Sequence, residues 1–364
     1  MSSSIQRIAI TTGGSGGHVV PALATADALL ARGYHVHFFT DARGNRFLEP
    51  RPNMHIHILP ASTPVGGIGN LLRGGFDLLR GFIKAFGIML RHRPRAIIGF
   101  GSYASFSACA AAKLLFIPLF LHEQNAVLGK ANEALHPFAR KVITSLPNVE
   151  GIARVPAHKV VEAGYPIRST IAALAAKSYP APHANGALDI LCIGGSQGAQ
   201  VFGEVLPPAL AELTADLRAR IKLTLQVKPD MVTKVRRQLA DISVAATVDV
   251  FFADIPARLA SAQLVISRSG MSTVAEVLAA GRPAIFVPYP AGHRLEQYKN
   301  PAAAVRAGGA WLCDQKDFTP HWLAMRLKEI LAGQVDLAHM AHIARGLGRP
   351  QAADAVAEVV LGQI

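Results

Sequence analysis

Cysteine is scarce in this chain: Cys109, Cys192 and Cys313 are the only three in 364 residues. They stand far apart, in apolar surroundings and at no metal-ligand spacing. That excludes a disulfide framework or a thiolate zinc site and favours the cytoplasm. Acidic residues are also few. Asp and Glu number 24 against 37 Lys and Arg, a formal charge of +13, so the partner is expected to be anionic: a nucleic acid, a phosphorylated substrate or an acidic lipid surface. A long apolar segment is missing too. The run Ile8-Ala9-Ile10-Thr11 is far short of a signal-peptide core, so no secretion signal is expected. The charge-poor stretch from Ala96 to Leu121 is broken by Lys113, Pro118, glycines and serines. It parses as a buried strand at 97–100, a glycine loop, an Ala-rich helix and a second strand at 119–121 rather than a membrane span.

What is present is alternation. The length and a hydrophobic share of 51% suit two domains. Short apolar runs predict strands at 8–11, 35–40, 54–59, 96–100, 119–121, 141–144, 188–193, 221–227, 248–252, 264–267 and 284–287, with helical patterns between them. This is the signature of parallel sheets covered by helices. Arg7–Gly17 (RIAITTGGSGG) nearly repeats in Asp189–Gly198 (DILCIGGSQG), each a strand followed by a glycine turn. Ser178 to Ala187 reads as a linker. The expectation is an α/β chain of two Rossmann-like domains, 1–164 and 165–342, with 343–364 packing back on the first. Their parallel sheets would face each other across a cleft and bind ligands beyond the strand carboxyl ends.

The most informative segment is Ser267–Leu278 (SRSGMSTVAEVL). It follows the apolar run Leu264-Val265-Ile266 and leads into a helical pattern. Backbone N–H donors and a positive dipole end at that helix start suit a pyrophosphate. Glu276 lies one turn inside, where a carboxylate can grip two vicinal hydroxyls. Phosphate plus diol outlines a nucleotide. The competing account makes Thr273-Val274-Ala275-Glu276 a capping box. Both glycine turns also match G-x-S-x-G, but an elbow repeated in each half does not supply one serine with its own acid and histidine. A dinucleotide-dependent oxidoreductase is disfavoured because neither turn is G-x-G-x-x-G and only Asp41 lies near the ribose position. His18 precedes Pro21, placed early in a helix, and the dipole there keeps the imidazole neutral, as a general base requires.

Six motifs in order carry a resemblance over nearly the whole chain. They are Gly13-Gly14-Ser15-Gly16-Gly17-His18, His122-Glu123-Gln124-Asn125, Gly164-Tyr165-Pro166-Ile167-Arg168, Gly194-Gly195-Ser196-Gln197-Gly198-Ala199, Arg268-Ser269-Gly270 with Glu276, and Gln297-Tyr298-Lys299-Asn300. In this spacing the chain resembles the MurG family of glycosyltransferases. These move N-acetylglucosamine from UDP-N-acetylglucosamine (UDP-GlcNAc) to undecaprenyl-pyrophosphoryl-N-acetylmuramoyl-pentapeptide in bacterial wall synthesis. The resemblance implies a GT-B architecture with the donor mostly in the second domain. Ser196 and the helix start at Met271, Ser272, Thr273, Val274 and Ala275 would hold the diphosphate. Arg168 would neutralise it, Glu276 would bind the ribose, Phe252 would offer backbone groups to uracil, and Gln297 with Asn125 would hold the sugar. Ser15, Gly16, Gly17 and His18, with the loop Gly101, Ser102 and Tyr103, would face the acceptor, and His18 or Glu123 would be the base. No D-x-D pattern occurs, so an inverting transfer with no metal or cofactor is expected, and no nucleic-acid partner. A transferase acting on another lipid, a UDP-GlcNAc 2-epimerase and a sugar-nucleotide-binding protein are the alternatives.

From Gly69 to Arg95, Leu72, Phe76, Leu79, Ile83, Phe86 and Leu90 share a helical face, and Arg73, Arg80, Lys84 and Arg91 form a basic stripe. Leu71, Leu78, Phe82, Ile88 and Met89 exceed what one core-facing stripe needs. An anionic membrane surface is the expected partner, which puts the protein peripherally on the cytoplasmic face of the inner membrane.

Overall fold

The computed structural model describes residues 6–14, 16–61, 68–183, 186–195, 200–291 and 293–364. The chain forms two compact units, residues up to Arg168 together with Gln351–Ile364, and Ser169–Pro350. In the first, β1 (Arg7–Thr11), β2 (His35–Thr40), β3 (Met54–Ile58), β4 (Ala96–Gly99), β5 (Leu119–Glu123), β6 (Lys141–Thr144) and β7 (Val160–Glu162) make a parallel sheet in the order 3-2-1-4-5-6-7. In the second, β8 (Leu188–Ile193), β9 (Ile221–Gln226), β10 (Ala245–Asp249), β11 (Leu264–Ser267), β12 (Ala284–Phe286) and β13 (Ala310–Leu312) follow the order 10-9-8-11-12-13. The winding is the same in both. In each sheet the strand order reverses beside its first strand, the switch point where such folds have a crevice at the carboxyl ends. Central strands such as Ala96–Gly99 are buried throughout, because helices cover both faces.

Several expectations shift. The strand placed at 248–252 lies at 245–249: Ala245–Asp249 pairs with Lys222–Gln226, and Val248 is its one buried residue. An edge strand of alanine and threonine has no apolar run, so the more apolar Val248–Phe252 misled the reading. The three-residue edge strands β7 and β13 were not anticipated. The 178–187 segment belongs to the second unit, where the Tyr179 hydroxyl donates to Gln263 O and Gln263 Nε2 donates to Pro180 O. Helix Leu337–Leu347 also stays there, with Arg345 Nη1 donating to Ala175 O. Only the helix Ala352–Leu361 joins the first unit. Its Val356, Ala357 and Val360 enter the core with Ile8, Ala22 and Leu29 of β1 and α1 (Gly16–Ala31), and Arg32 pairs with Asp354 at 2.6 Å.

A buried cation held by backbone carbonyls, with no carboxylate partner among the described residues, lies in the second unit. Arg282 donates to Leu259 O, Ala280 O and Ala260 O at 2.8 Å each. These carbonyls end the helices Ile255–Ser261 and Met271–Ala279, whose negative dipole ends balance the guanidinium. Burial lowers its pKa to about 10, so it stays charged at neutral pH.

The first unit buries histidines instead. His37 of β2 stacks on His57 of β3 at 6° between rings, with Nδ1 and Nε2 3.0 Å apart, and His92 closes over His37 from α2 (Ile68–His92). Burial first, then the neighbouring His57, His92, His55 and Arg7, lowers the His37 pKa from 6.5 to about 3. Burial with His55, His92 and Lys84 takes His57 to about 4. Between pH 6.5 and 4 the unfolded chain therefore binds protons that the folded one refuses, and stability falls as pH falls. Replacing both residues in a His37→Gln, His57→Gln variant should flatten the melting temperature across that window. Equal slopes for the two proteins would show that the pair titrates normally.

Candidate active site

The two glycine turns are clamped alike. After β1, Gly14 takes φ +83° and donates its N–H to Asp41 Oδ1 at 3.1 Å, just beyond β2. After β8, Gly194 donates to Gln226 Oε1 at 3.1 Å, the last residue of β9, whose Nε2 donates onward to Val250 O. Asp41 also accepts from Gly44 N at 2.7 Å and from Arg43. Burial alone would raise its pKa, but these donors hold it below the ordinary value. With its oxygens so engaged, Asp41 is a loop clamp and not a ribose ligand.

His18 stands on the first turns of α1, and Pro21 follows inside that helix rather than at its first position. Having no N–H, Pro21 cannot bond the carbonyl four residues back. That carbonyl, Gly17 O, instead accepts from the Tyr165 hydroxyl at 2.9 Å. His18 Nδ1 lies 3.0 Å from Gln124 Oε1. Burial lowers its pKa more than Gln124 and the Phe100 carbonyl raise it, so the ring is neutral at physiological pH. Glu123 is 2% exposed and its oxygens face its own loop: Oε1 accepts from Asn125 N, and Oε2 from Gly129 N and Asn132 Nδ2. Burial raises its pKa despite those donors.

The loop expected to face the acceptor is strained. Gly101 has φ +76°, and Ser102 has φ +74° with ψ 158°, a region open to glycine that costs another residue about 1–3 kcal/mol. Ser105 holds the turn by donating to Gly101 O and Thr11 O. Tyr103 is exposed and opens α3 (Tyr103–Leu114).

In the second unit, helix Met271–Ala279 begins after Gly270, and no side chain caps it. Thr273 is its third residue, so the capping-box account of Glu276 fails. The Glu276 side chain is buried one turn in. Arg268 ties β11 to the loop after β12 through Val287 O and Pro288 O, and Asn300 Nδ2 donates to Ser269 O. Phe252 lies buried under the Arg258 guanidinium, 4.3 Å from its ring. Gln297 Oε1 accepts from Tyr289 N. Arg168 is exposed at the end of the first unit, and Asn125 is half-buried. Ser15 and Ser196 lie outside the described residues.

The glycosyltransferase family 28 N-terminal domain model matches residues 8–144, and the C-terminal domain model matches 190–357. The chain belongs to glycosyltransferase family 28. A Paramagnetospirillum magneticum protein is 44% identical over 100% of this chain and 98% of its own length, and one from Rhodospirillum centenum is 42% identical over 99% and 95%. Both are named UDP-N-acetylglucosamine–N-acetylmuramyl-(pentapeptide) pyrophosphoryl-undecaprenol N-acetylglucosamine transferase. The Acinetobacter baumannii MurG crystal structure is 29% identical with a TM-score of 0.78, covering 98% of this chain and 99% of that one. A Neisseria meningitidis UDP-GlcNAc 2-epimerase shares the fold alone, at 12% identity. The two Rossmann-like domains of this family 28 enzyme are thus those of a GT-B glycosyltransferase, a transferase of UDP-linked sugar.

Sequence reasoning gave no role to Tyr165, Gln124 or Gln226, and offered Asp41 only as a ribose ligand. One signal was available for Tyr165: a proline six residues into a helix orphans the Gly17 carbonyl. Tyr165→Phe should destabilise the family 28 enzyme by about 0.5–1.5 kcal/mol in urea unfolding, the net worth of one hydrogen bond to the carbonyl of an exposed glycine. Adding Pro21→Ala, which restores an N–H, should recover part of that loss. No recovery would show that the hydroxyl does not replace the missing helix bond.

Proposed function

We propose that this chain moves N-acetylglucosamine from UDP-GlcNAc to the 4-hydroxyl of the muramoyl sugar of undecaprenyl-pyrophosphoryl-N-acetylmuramoyl-pentapeptide, converting lipid I to lipid II in peptidoglycan synthesis. The observation that carries it is 44% identity, end to end, with a transferase of that name. The second unit takes the donor. There, Ser196 and the N–H groups of Met271 to Ala275 hold the diphosphate, Glu276 grips the ribose hydroxyls, the Phe252 backbone meets uracil, and Gln297 orients the sugar. In the first unit, Ser15, Gly16, Gly17 and the 101–103 loop receive the acceptor. Neutral His18 takes the proton of the 4-hydroxyl as that oxygen attacks the anomeric carbon from the face opposite UDP, inverting it. Charge growing on departing UDP is stabilised by the helix N-terminus. Glu123, committed to its own loop, positions Asn125 and is not the base.

The protein works peripherally on the cytoplasmic face of the inner membrane, through α2. Small residues and one methionine turn inward: Gly74, Gly81, Ala85 and Met89 are buried, and Ser107 of α3 donates to Leu78 O. Bulky ones turn outward, with Phe76 and Ile83 each 60% exposed and Leu79 55%. Arg73, Arg80 and Arg91 are exposed on the same helix. Among the described residues no helix is long and apolar enough to cross a membrane. An exposed apolar face fringed by arginines suits the surface of an anionic bilayer, where the polyprenyl acceptor resides.

Glu276→Gln should weaken UDP-GlcNAc binding by about 1.5–3 kcal/mol in calorimetry, the worth of hydrogen bonds to a charged group, with little change in melting temperature. Unchanged affinity beside a large loss of stability would remove Glu276 from the donor site. On the membrane side, Arg73→Glu with Arg80→Glu should cost about 1 kcal/mol per charge in binding to phosphatidylglycerol vesicles, and Phe76→Ser with Ile83→Ser should release the protein further. Turnover of a short-chain, water-soluble acceptor should persist in both. Vesicle binding that survives all four changes would mean α2 is a solvated face.

A further inference from the structure

Three side chains of the first unit form a hydrogen-bonded row whose direction two backbone carbonyls fix, because a carbonyl oxygen only accepts. His122 Nε2 lies 3.1 Å from Gly164 O and so carries a proton. Burial lowers the His122 pKa to about 4, so the ring is neutral and its Nδ1 is an acceptor. Gln124 Nε2 lies 3.0 Å from His122 O and 3.2 Å from His122 Nδ1, so the amide nitrogen faces His122 and donates to both. Its Oε1 is thereby turned to His18 Nδ1, 3.0 Å away, which donates to it, whereas the Phe100 carbonyl near the ring acts on its charge without a hydrogen bond of that geometry. The surroundings keep the ring in that pose. Gly101 at φ +76° stands against it, where an added Cβ would lie 3.4 Å from both Nδ1 and Cε1. The far end of the row is anchored as well, since Tyr165, next to Gly164, bonds the Gly17 carbonyl beside His18.

We propose that Gln124, oriented by His122 and the Gly164 carbonyl, is a positioning residue that holds His18 as the Nδ1–H tautomer, leaving Nε2 as the nitrogen that receives the acceptor's proton. The opposite tautomer would present an N–H to the hydroxyl and could not take its proton. This rests on the assignment of His18 as base and adds what sets its direction.

Long-range nitrogen–proton spectra of protein labelled with 15N-histidine, with His18→Ala identifying the resonance, report which ring nitrogen is protonated. The wild type should show His18 protonated at Nδ1 alone. Gln124→Leu should give a mixture of tautomers and lower kcat about 10- to 100-fold, less than the 10²–10⁴-fold expected for complete loss of a general base. KM for UDP-GlcNAc should stay within about threefold, since no donor contact is removed. Gln124→Glu should keep the Nδ1–H form and move the acid limb of the kcat–pH profile up by about 1–2 units, as an adjacent carboxylate favours imidazolium. A wild-type His18 protonated at Nε2, or a Gln124→Leu protein that loses kcat with its tautomer unchanged, would overturn the positioning role. A His18→Ala enzyme with normal kcat would overturn the base assignment instead.

Discussion

Parallel strands end together, and the backbone groups of the loops beyond them must be satisfied without a neighbouring strand to do it. In both units polar side chains set at or just past strand ends meet that demand. Asp41 holds Gly14 and Gly44, Glu123 holds Asn125 and Gly129, Gln226 holds Gly194, and Arg268 holds the loop carbonyls of Val287 and Pro288. The glycine turns can then keep left-handed backbone and leave outward N–H groups for a ligand. Rigid loops built from mobile residue types follow from these few long bonds.

Charge is distributed to the same end. Asp41 and Glu123 are used up by their own loops, so on the proposed mechanism the acceptor face keeps a neutral histidine as its base. In the second unit the buried guanidinium of Arg282 sits at the far end of helix Met271–Ala279, where it neutralises the negative end of the dipole. In the function proposed above, the positive end takes the diphosphate. On that proposal, one helix connects the stability of the fold to the chemistry of the leaving group.

Much of this was legible in the sequence. Strands with apolar runs, such as Ala96–Gly99 and Leu264–Ser267, were visible because burial on both faces forces that composition. β10, β7 and β13 were misplaced or missed because edge strands are short and need little apolar surface. The glycine turns, His18 and Glu276 were legible as local motifs. Their supports were not, because Asp41 stands 27 residues from Gly14, Gln124 stands 106 from His18 and Tyr165 stands 148 from Gly17. Local spacing carries no record of such pairs. On α2 the bulky apolar residues were visible, but which face pointed inward was decided by Gly74, Gly81 and Ala85, whose small size lets α3 approach.

The return of helix Ala352–Leu361 to the first unit has a consequence for biogenesis. The ribosome makes β1 and α1 first, yet the apolar surface that Val356, Ala357 and Val360 cover stays open until the whole second unit has been synthesised. The earliest domain to emerge is the last to be finished. A nascent chain paused anywhere before residue 351 carries an incomplete first unit with an uncovered apolar patch beside α1, a ready client for a chaperone.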